Sequence, residues 1–422
     1  MSDLKNTKGL KTKTIIIAVN EFFQDGPGAA SRFMCLQARG LSDLGYRVHI
    51  IASKGHWAGK RIINDSVTAT CLRRAIPGCK TLRERIAHRI SYFHWTLKIL
   101  LAIICSRSDI IFFYAPAVAF VLLVPVARLL GMQTFYFDGD VRGRIVMTAS
   151  SWINRATDYI QFKAMGYLAS SASWTVLGGT KELEAVYRRL APRARIFRLY
   201  PPTDTQLFKS GEGEAFRKRR NLGDRPLIGY AGAVNTNEGI HILLEAFAMT
   251  RIRIPDAILL LAGLMSQSLH ITGKPLDLEK LAEDLNISDS VLFLGPIPLR
   301  EVVDLYAACD VLVNPKVDHL ANRVASPIKV GEYLASGTPM ISSRVGELDE
   351  ILVDGEEAIF FKPGNVEELA NCLTDILLAT PQRRDYIGKR AQEAARKNFD
   401  YSSWALRIHQ TIAMNTDHKV TQ

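Results

Sequence analysis

The six cysteines, at positions 35, 71, 79, 105, 309 and 372, include no C-x-x-C pair and no His/Cys spacing suited to a metal. That scatter argues against a disulfide framework and a zinc module. It fits thiols packed as small apolar groups in a reducing compartment. G-x-G-x-x-G and the P-loop pattern are also missing, so dinucleotide reduction and ATP hydrolysis lack their markers. No clean apolar run has the length of a membrane span. Residues 97–105 are too few and are followed by Arg107 and Asp109; residues 115–130 are broken by Pro116, Pro125 and Arg128. The opening MSDLKNTKGLKTK is polar and leads straight into a strand pattern, so the expectation is a cytoplasmic protein without a signal peptide.

Present instead is an ordinary globular composition, 48% hydrophobic and 23% charged, in 422 residues, more than one hydrophobic core accommodates. The net charge of +11 favours anionic partners. It is diffuse and accompanied by no nucleic-acid recognition module, so nucleic acid is not expected as a partner. Between Arg73 and Lys98, basic residues alternate with Tyr92, Phe93, Trp95 and Leu97. Two readings fit: a helix lying in an anionic membrane surface, or a solvated basic helix whose aromatics enter the core.

Short apolar runs at 14–20, 47–53, 109–114, 133–138 and 174–178 suit strands buried on both faces, with helical patterns between them such as 30–44. The alternation predicts a parallel, doubly wound sheet. Residues 200–208, YPPTDTQLF, read as a rigid turn without helical or strand period, and the basic run 211–225 as a linker. A second alternation follows, with strands at 227–233, 257–263, 291–295, 311–315, 340–343 and 358–361, and helices at 240–249, 280–285, 299–308, 328–336 and 366–378. The fold class expected is α/β, two Rossmann-like doubly wound domains facing a central cleft. The boundaries are 1–205 and 206–400, with 401–422 a terminal segment that can cross back to the first domain.

Residues 326–364 carry the most chemistry. Lys329 precedes Glu332 by three residues and so shares its helical face. A lysine suits phosphate as a point charge, and a carboxylate suits the two hydroxyls of a ribose. The plain alternative is a surface ion pair. Glu350 is expected to open the next helix. GYAGAVNTNEG, residues 229–239, is a glycine-containing strand-to-helix loop suited to cradling a diphosphate through Gly232, Asn235 and Thr236; a simple turn would look similar.

Together these segments closely resemble retaining glycosyltransferases of family 4, with the GT-B fold. The resemblance rests on EFFQDGPGAASRFMCLQARGLSDLGYRVHIIAS, LYPPTDTQLF, GYAGAVNTNEGIHILLEAFAM, FLGPIPLREVVDLYAACDVLVNP, PIKVGEYLASGTPMI and VGELDEILVDGEEAIFFKPGNVEELA. It implies retaining transfer of a sugar from a nucleotide-sugar donor to a lipid-linked or saccharide acceptor. The second domain would hold the donor, with no metal or other cofactor. It aligns Glu332 with the glutamate that binds the donor ribose, Lys329 with a lysine near the diphosphate, and Gly28 with a first-domain glycine approaching the donor. Asp138 and Asp140 fall where the family keeps a polar residue facing the sugar; an Asp-Gly turn explains them equally well.

Several positions depart from the pattern. Ala233 and Glu238 stand where the family often has arginine and lysine, and Val324 stands where it has the first glutamate of an E-x7-E pair. Arg323, Lys329, Arg142 and Arg144 are the candidate replacements for the missing cations. The expected function is therefore a glycosyltransferase of cell-surface polysaccharide or glycolipid synthesis, acting at the inner membrane face. A catalytically silent nucleotide-sugar-binding or partner-binding relative is the alternative, and an epimerase of the same fold a third reading.

Overall fold

The computed structural model describes residues 13–22, 29–55, 59–74, 82–105, 108–114, 117–139, 152–265, 268–269 and 275–420. The chain divides into two compact units: Met1–Gly179 with Leu183–Leu199 and Trp404–Gln422, and Thr180–Glu182 with Tyr200–Ser403.

The first unit is built on eight strands: β1 (Thr14–Phe22), β2 (Arg47–Gly55), β3 (Gly59–Asn64), β4 (Val67–Arg74), β5 (Ile110–Tyr114), β6 (Gln133–Asp138), β7 (Trp174–Leu177) and β8 (Ile196–Arg198). Their spatial order is β3-β4-β2-β1-β5-β6-β7-β8. Ile15–Ala18 of β1 pair in parallel with Val48–Ile51 and with Ile110–Phe113, all apolar except His49, as in sheets covered on both faces. The expected sheet lacked β3 and β4. They form an antiparallel edge hairpin, with Asn64 Oδ1 accepting from the Ser66 and Val67 amides across the turn. β3 is almost wholly exposed, so no apolar run announces it.

Trp95, in helix Leu82–Cys105, is fully buried against Phe120, so this member of the basic-aromatic segment is a core residue. The side chains of residues 75–93 lie outside the described ones. The final helix, Tyr401–Val420, buries Trp404, Ala405, Ile408 and Ile412. From Trp404 onward it clusters with the first unit, where Tyr46 Oη meets His409 Nδ1 at 2.8 Å. Among the described residues no helix is long and apolar enough to cross a membrane.

The second unit contains β9 (Leu227–Ala231), β10 (Ile258–Ala262), a two-residue hairpin β11 (Ser268–Leu269) and β12 (Pro275–Leu276), then β13 (Val291–Gly295), β14 (Val311–Asn314), β15 (Met340–Ser343) and β16 (Ile359–Phe361). The six-stranded parallel sheet runs β13-β10-β9-β14-β15-β16. Because successive side chains in a strand point to opposite faces, neighbours separate into two cores. Leu227, Met340 and Phe360 pack on one side, Ile228, Ile341 and Phe361 on the other.

Residues 200–225 differ from the turn and linker expected there. Asp204 caps a short helix, Thr205–Lys209, its Oδ1 accepting from the Leu207 amide. Gly213–Arg219 forms another helix with Phe216 fully buried. Arg217 donates to the carbonyls of Ala308, Gly223 and Arg225 and to Asp310, while Arg219 pairs with Asp304. The basic residues of this run are therefore the outer layer of a packed domain. Sequence periodicity misses this because one short turn of helix carries no repeat.

Candidate functional site

The site is assembled in the second unit, where the carboxyl ends of β9 and β14 meet the start of helix Ile328–Ser336. In parallel sheets this is the edge where loops are free to hold a ligand. Helix Ile328–Ser336 begins after Pro327, and ends at Gly337, whose φ of 81° is the left-handed stop that glycine adopts without strain. The helix is tied to β9 by Tyr333, whose hydroxyl accepts from the Ala231 amide at 3.1 Å.

The loop after β9 wraps around Lys329. A Cβ added at Gly232 would lie 2.7 Å from Lys329 Nζ, so glycine there makes room for the ammonium. Further along, Asn235 Oδ1 accepts from the Glu238 amide at 3.0 Å and the Thr236 carbonyl from the Gly239 amide at 3.0 Å. Gly239 closes the loop at φ 80°, with the place of its missing Cβ 1.8 Å from the Pro315 carbonyl oxygen. Asn235 and Thr236 thus shape the turn, and Thr236 itself is buried.

Lys329 Nζ donates to Glu238 Oε2 at 2.6 Å and to Tyr230 Oη at 2.7 Å, and sits 4.2 Å from the centre of the Tyr230 ring. Lys316, two residues beyond β14, donates to the other oxygen of Glu238 at 3.1 Å and to Asn322 Oδ1 at 3.0 Å. The side chains of Lys316, Lys329 and Glu238 are 10%, 13% and 18% exposed, so all three groups are largely withdrawn from solvent screening. Burial works to raise the Glu238 pKa, but the ammoniums of Lys329 and Lys316 outweigh it and bring the carboxyl down to about 2. The Tyr230 phenol is pushed well above its ordinary range, first by burial and then by Glu238, and stays protonated. Glu332, one turn along the helix from Lys329, is 4% exposed and accepts from Tyr306 Oη at 3.3 Å.

The other expected residues are spread more widely. Glu350 lies inside the short helix Leu348–Ile351, which Glu347 rather than Glu350 opens, and pairs on the surface with Lys181. Arg323 faces Asp318 at 3.5 Å and Glu182 at 3.8 Å, apart from the two-lysine cluster. Asp138, in the first unit, ends β6 and is buried, accepting a hydrogen bond from Tyr187, whose phenol burial and then Asp138 keep protonated. Gly28, Asp140, Arg142 and Arg144 lie outside the described residues. Lys316 was not anticipated from the sequence. A lysine immediately after a buried strand and a proline, Asn314-Pro315-Lys316, is the local signal that could have found it.

Residues 212–394 match the family described as Glycosyl transferases group 1. The D-inositol 3-phosphate glycosyltransferase of Corynebacterium urealyticum is 31% identical over 215 residues, 49% of each chain. The GDP-mannose-dependent alpha-(1-6)-phosphatidylinositol monomannoside mannosyltransferase of Mycolicibacterium smegmatis is 26% identical over 228 residues, 53% of this chain and 57% of that one. The chain spans about half the length of these curated relatives. Among solved structures, sucrose-phosphate synthase from Thermosynechococcus elongatus matches with a TM-score of 0.73 at 19% identity, over 96% of this chain and 100% of that one. The two parallel-sheet units and this structural match show the GT-B fold, and within it residues 212–394 of the second unit carry the Glycosyl transferases group 1 match.

Proposed function

We propose that this protein is a glycosyltransferase that moves a sugar from a nucleotide-sugar donor to a saccharide or lipid-linked acceptor, with retention of anomeric configuration. The observation that carries the reading is the pairing, on one helix, of a buried carboxylate and a partly buried ammonium one turn apart: Glu332 for the ribose hydroxyls, Lys329 for the diphosphate. The mannosyltransferase relative is named for GDP-mannose and for phosphatidylinositol monomannoside, which supports a nucleotide-sugar donor and a lipid-linked acceptor.

In the reaction proposed, the bond from the sugar's anomeric carbon to the diphosphate breaks and the acceptor oxygen bonds to that carbon from the same face. The acceptor proton passes to a donor phosphate oxygen. Lys316 and Lys329 neutralise the departing diphosphate, so the proposal needs no metal or further cofactor. Asp138 and Asp140 are proposed to orient the sugar or acceptor hydroxyls. Gly28, Gly232, Asn235, Thr236, Arg323 and Glu350 are proposed to line the donor's path.

The acceptor reading draws on the first unit's surface. Leu97, Leu101 and Ile104 form an exposed stripe on helix Leu82–Cys105, and Leu122, Leu129 and Leu130 are exposed on the adjoining segment. Large exposed apolar patches mark interaction sites, and with the chain's +11 charge an anionic membrane surface suits this one.

Transfer of radiolabel from a panel of UDP-, GDP- and ADP-sugars, with Glu332→Ala as control, tests the reading. Label reaching an acceptor or water in the parent protein, and lost in the variant, is expected. One observation favours a silent nucleotide-binding relative instead: Glu238 already engages both lysines. Nucleotide binding with no turnover on any donor would establish that second reading in place of the first.

A further inference from the structure

Glu238 is unusual in its setting. It lies in the glycine-containing loop, beside the ammonium that the diphosphate is proposed to meet, and it carries the same sign of charge as that ligand. Its two oxygens are divided between the cations, Oε2 taking Lys329 at 2.6 Å and Oε1 taking Lys316 at 3.1 Å. The position is held from both directions. The Glu238 amide is anchored by Asn235, and Lys316 is braced by Asn322, whose own amide donates to the carbonyls of Asn237 and Val317. Two ammoniums and one carboxylate leave the cluster with one net positive charge, where the lysines alone would present two.

We propose that Glu238 is a resident counter-anion, which keeps the two lysines in place and charged while weakening their grip on a diphosphate so that the spent nucleotide can leave. Its carboxylate and a ligand phosphate compete for the same two ammoniums. The effect is large because the groups are mostly buried, where charges a few ångströms apart are poorly screened. Glu238 is a positioning and affinity-setting residue rather than a catalytic one. The inference deepens the proposed donor site and rests on that reading for its biological meaning, but its physical content concerns any diphosphate.

Calorimetric titration with inorganic pyrophosphate tests it without reference to nucleoside or sugar. Glu238→Gln should bind pyrophosphate at least ~10-fold more tightly than the parent, the direction set by removing one like charge beside the ligand. Uridine and guanosine, which carry no phosphate, should bind both proteins equally. Glu238→Asp, which keeps the charge, should show no gain. Unchanged or weaker pyrophosphate binding by folded Glu238→Gln, or no binding by either protein, overturns the proposal. Where the single variant does not fold, Glu238→Gln/Lys316→Gln is the measurement. It restores one net positive charge and should bind pyrophosphate near the parental level; loss of binding there overturns the idea. Failure of the nucleotide-sugar reading shows elsewhere, as UDP or GDP binding indifferent to Glu332→Ala.

Discussion

Both units carry ion pairs and exposed apolar side chains, but the largely buried lysine–glutamate cluster belongs to the second and the exposed leucines at 122–130 to the first. In the second, charged side chains are drawn into shared networks: Arg217 with Asp310, Arg219 with Asp304, Arg220 with Glu301, and the lysine pair with Glu238. In the first, large apolar side chains stay in solvent, with Leu122 78% and Leu129 86% exposed. A sheet that must hold a phosphorylated ligand needs its cations fixed beforehand, because charge reorganised during the reaction stabilises nothing. A surface that meets lipid needs no such fixing, since burial of apolar area is non-directional. On the proposed function, the second unit's cluster works by position and the first unit's leucine surface by area.

The largest test of that contrast is Lys329→Ala. If the second unit works by fixed charge, kcat/KM for sugar transfer should fall by ~10²–10³, the scale for one lost active-site donor, and free lysine-like amines should not restore it. A loss confined to KM would mean the ammonium binds substrate and product state alike.

A test of nearly equal size uses pH. The Glu238 carboxyl lies at about 2 in the fold against an ordinary 4.5, so its stabilisation is fully present above 4.5 and disappears as pH falls towards 2. The shift corresponds to a contribution of the order of 3 kcal/mol. Denaturant unfolding between pH 6 and pH 2 should show that slope (roughly this window, set by the linkage relation), and Glu238→Gln should flatten it. Equal slopes in both proteins would break the picture of a fixed-charge cluster.

Arg217→Ala should come next. Removing a guanidinium that serves three carbonyls and Asp310 should cost about 2 kcal/mol of stability, by the scale for hydrogen bonds to charged groups. Chemical denaturation monitors it. A change below about 0.5 kcal/mol would return helix Gly213–Arg219 to the status of a linker.

Leu122→Asp/Leu129→Asp should give the smallest stability change, within about 0.5 kcal/mol, since both side chains are already in water. Flotation with anionic liposomes should nevertheless be reduced for this variant and should weaken in both proteins as salt rises. Equal flotation, or none by the parent, would end the comparison drawn for the first unit.

Much of the second unit was readable before any coordinates. Strands Val291–Gly295 and Met340–Ser343 and helices Leu299–Ala308, Ile328–Ser336 and Val366–Leu378 have the bounds expected, because continuous apolar runs and helical periodicity are strong and local. The exposed edge strand β3 and the two short helices of residues 205–219 were not, since none of the three carries a hydrophobic repeat; β4 does, in Val67, Ala69 and Cys71, but it is short and half polar.

The site divides along the same line. Local spacing alone put Lys329 and Glu332 on one face of a helix, and the glycines of residues 229–239 at a strand-to-helix turn. What Lys329 touches was decided by the sheet. Glu238 stands 91 residues from Lys329 and 78 from Lys316, and only strands running parallel, with their carboxyl ends at one edge, bring a loop, a strand end and a helix start within hydrogen-bond reach. A chain spacing carries no record of such a meeting, because electrostatic partners are chosen by distance in space and not by distance along the backbone.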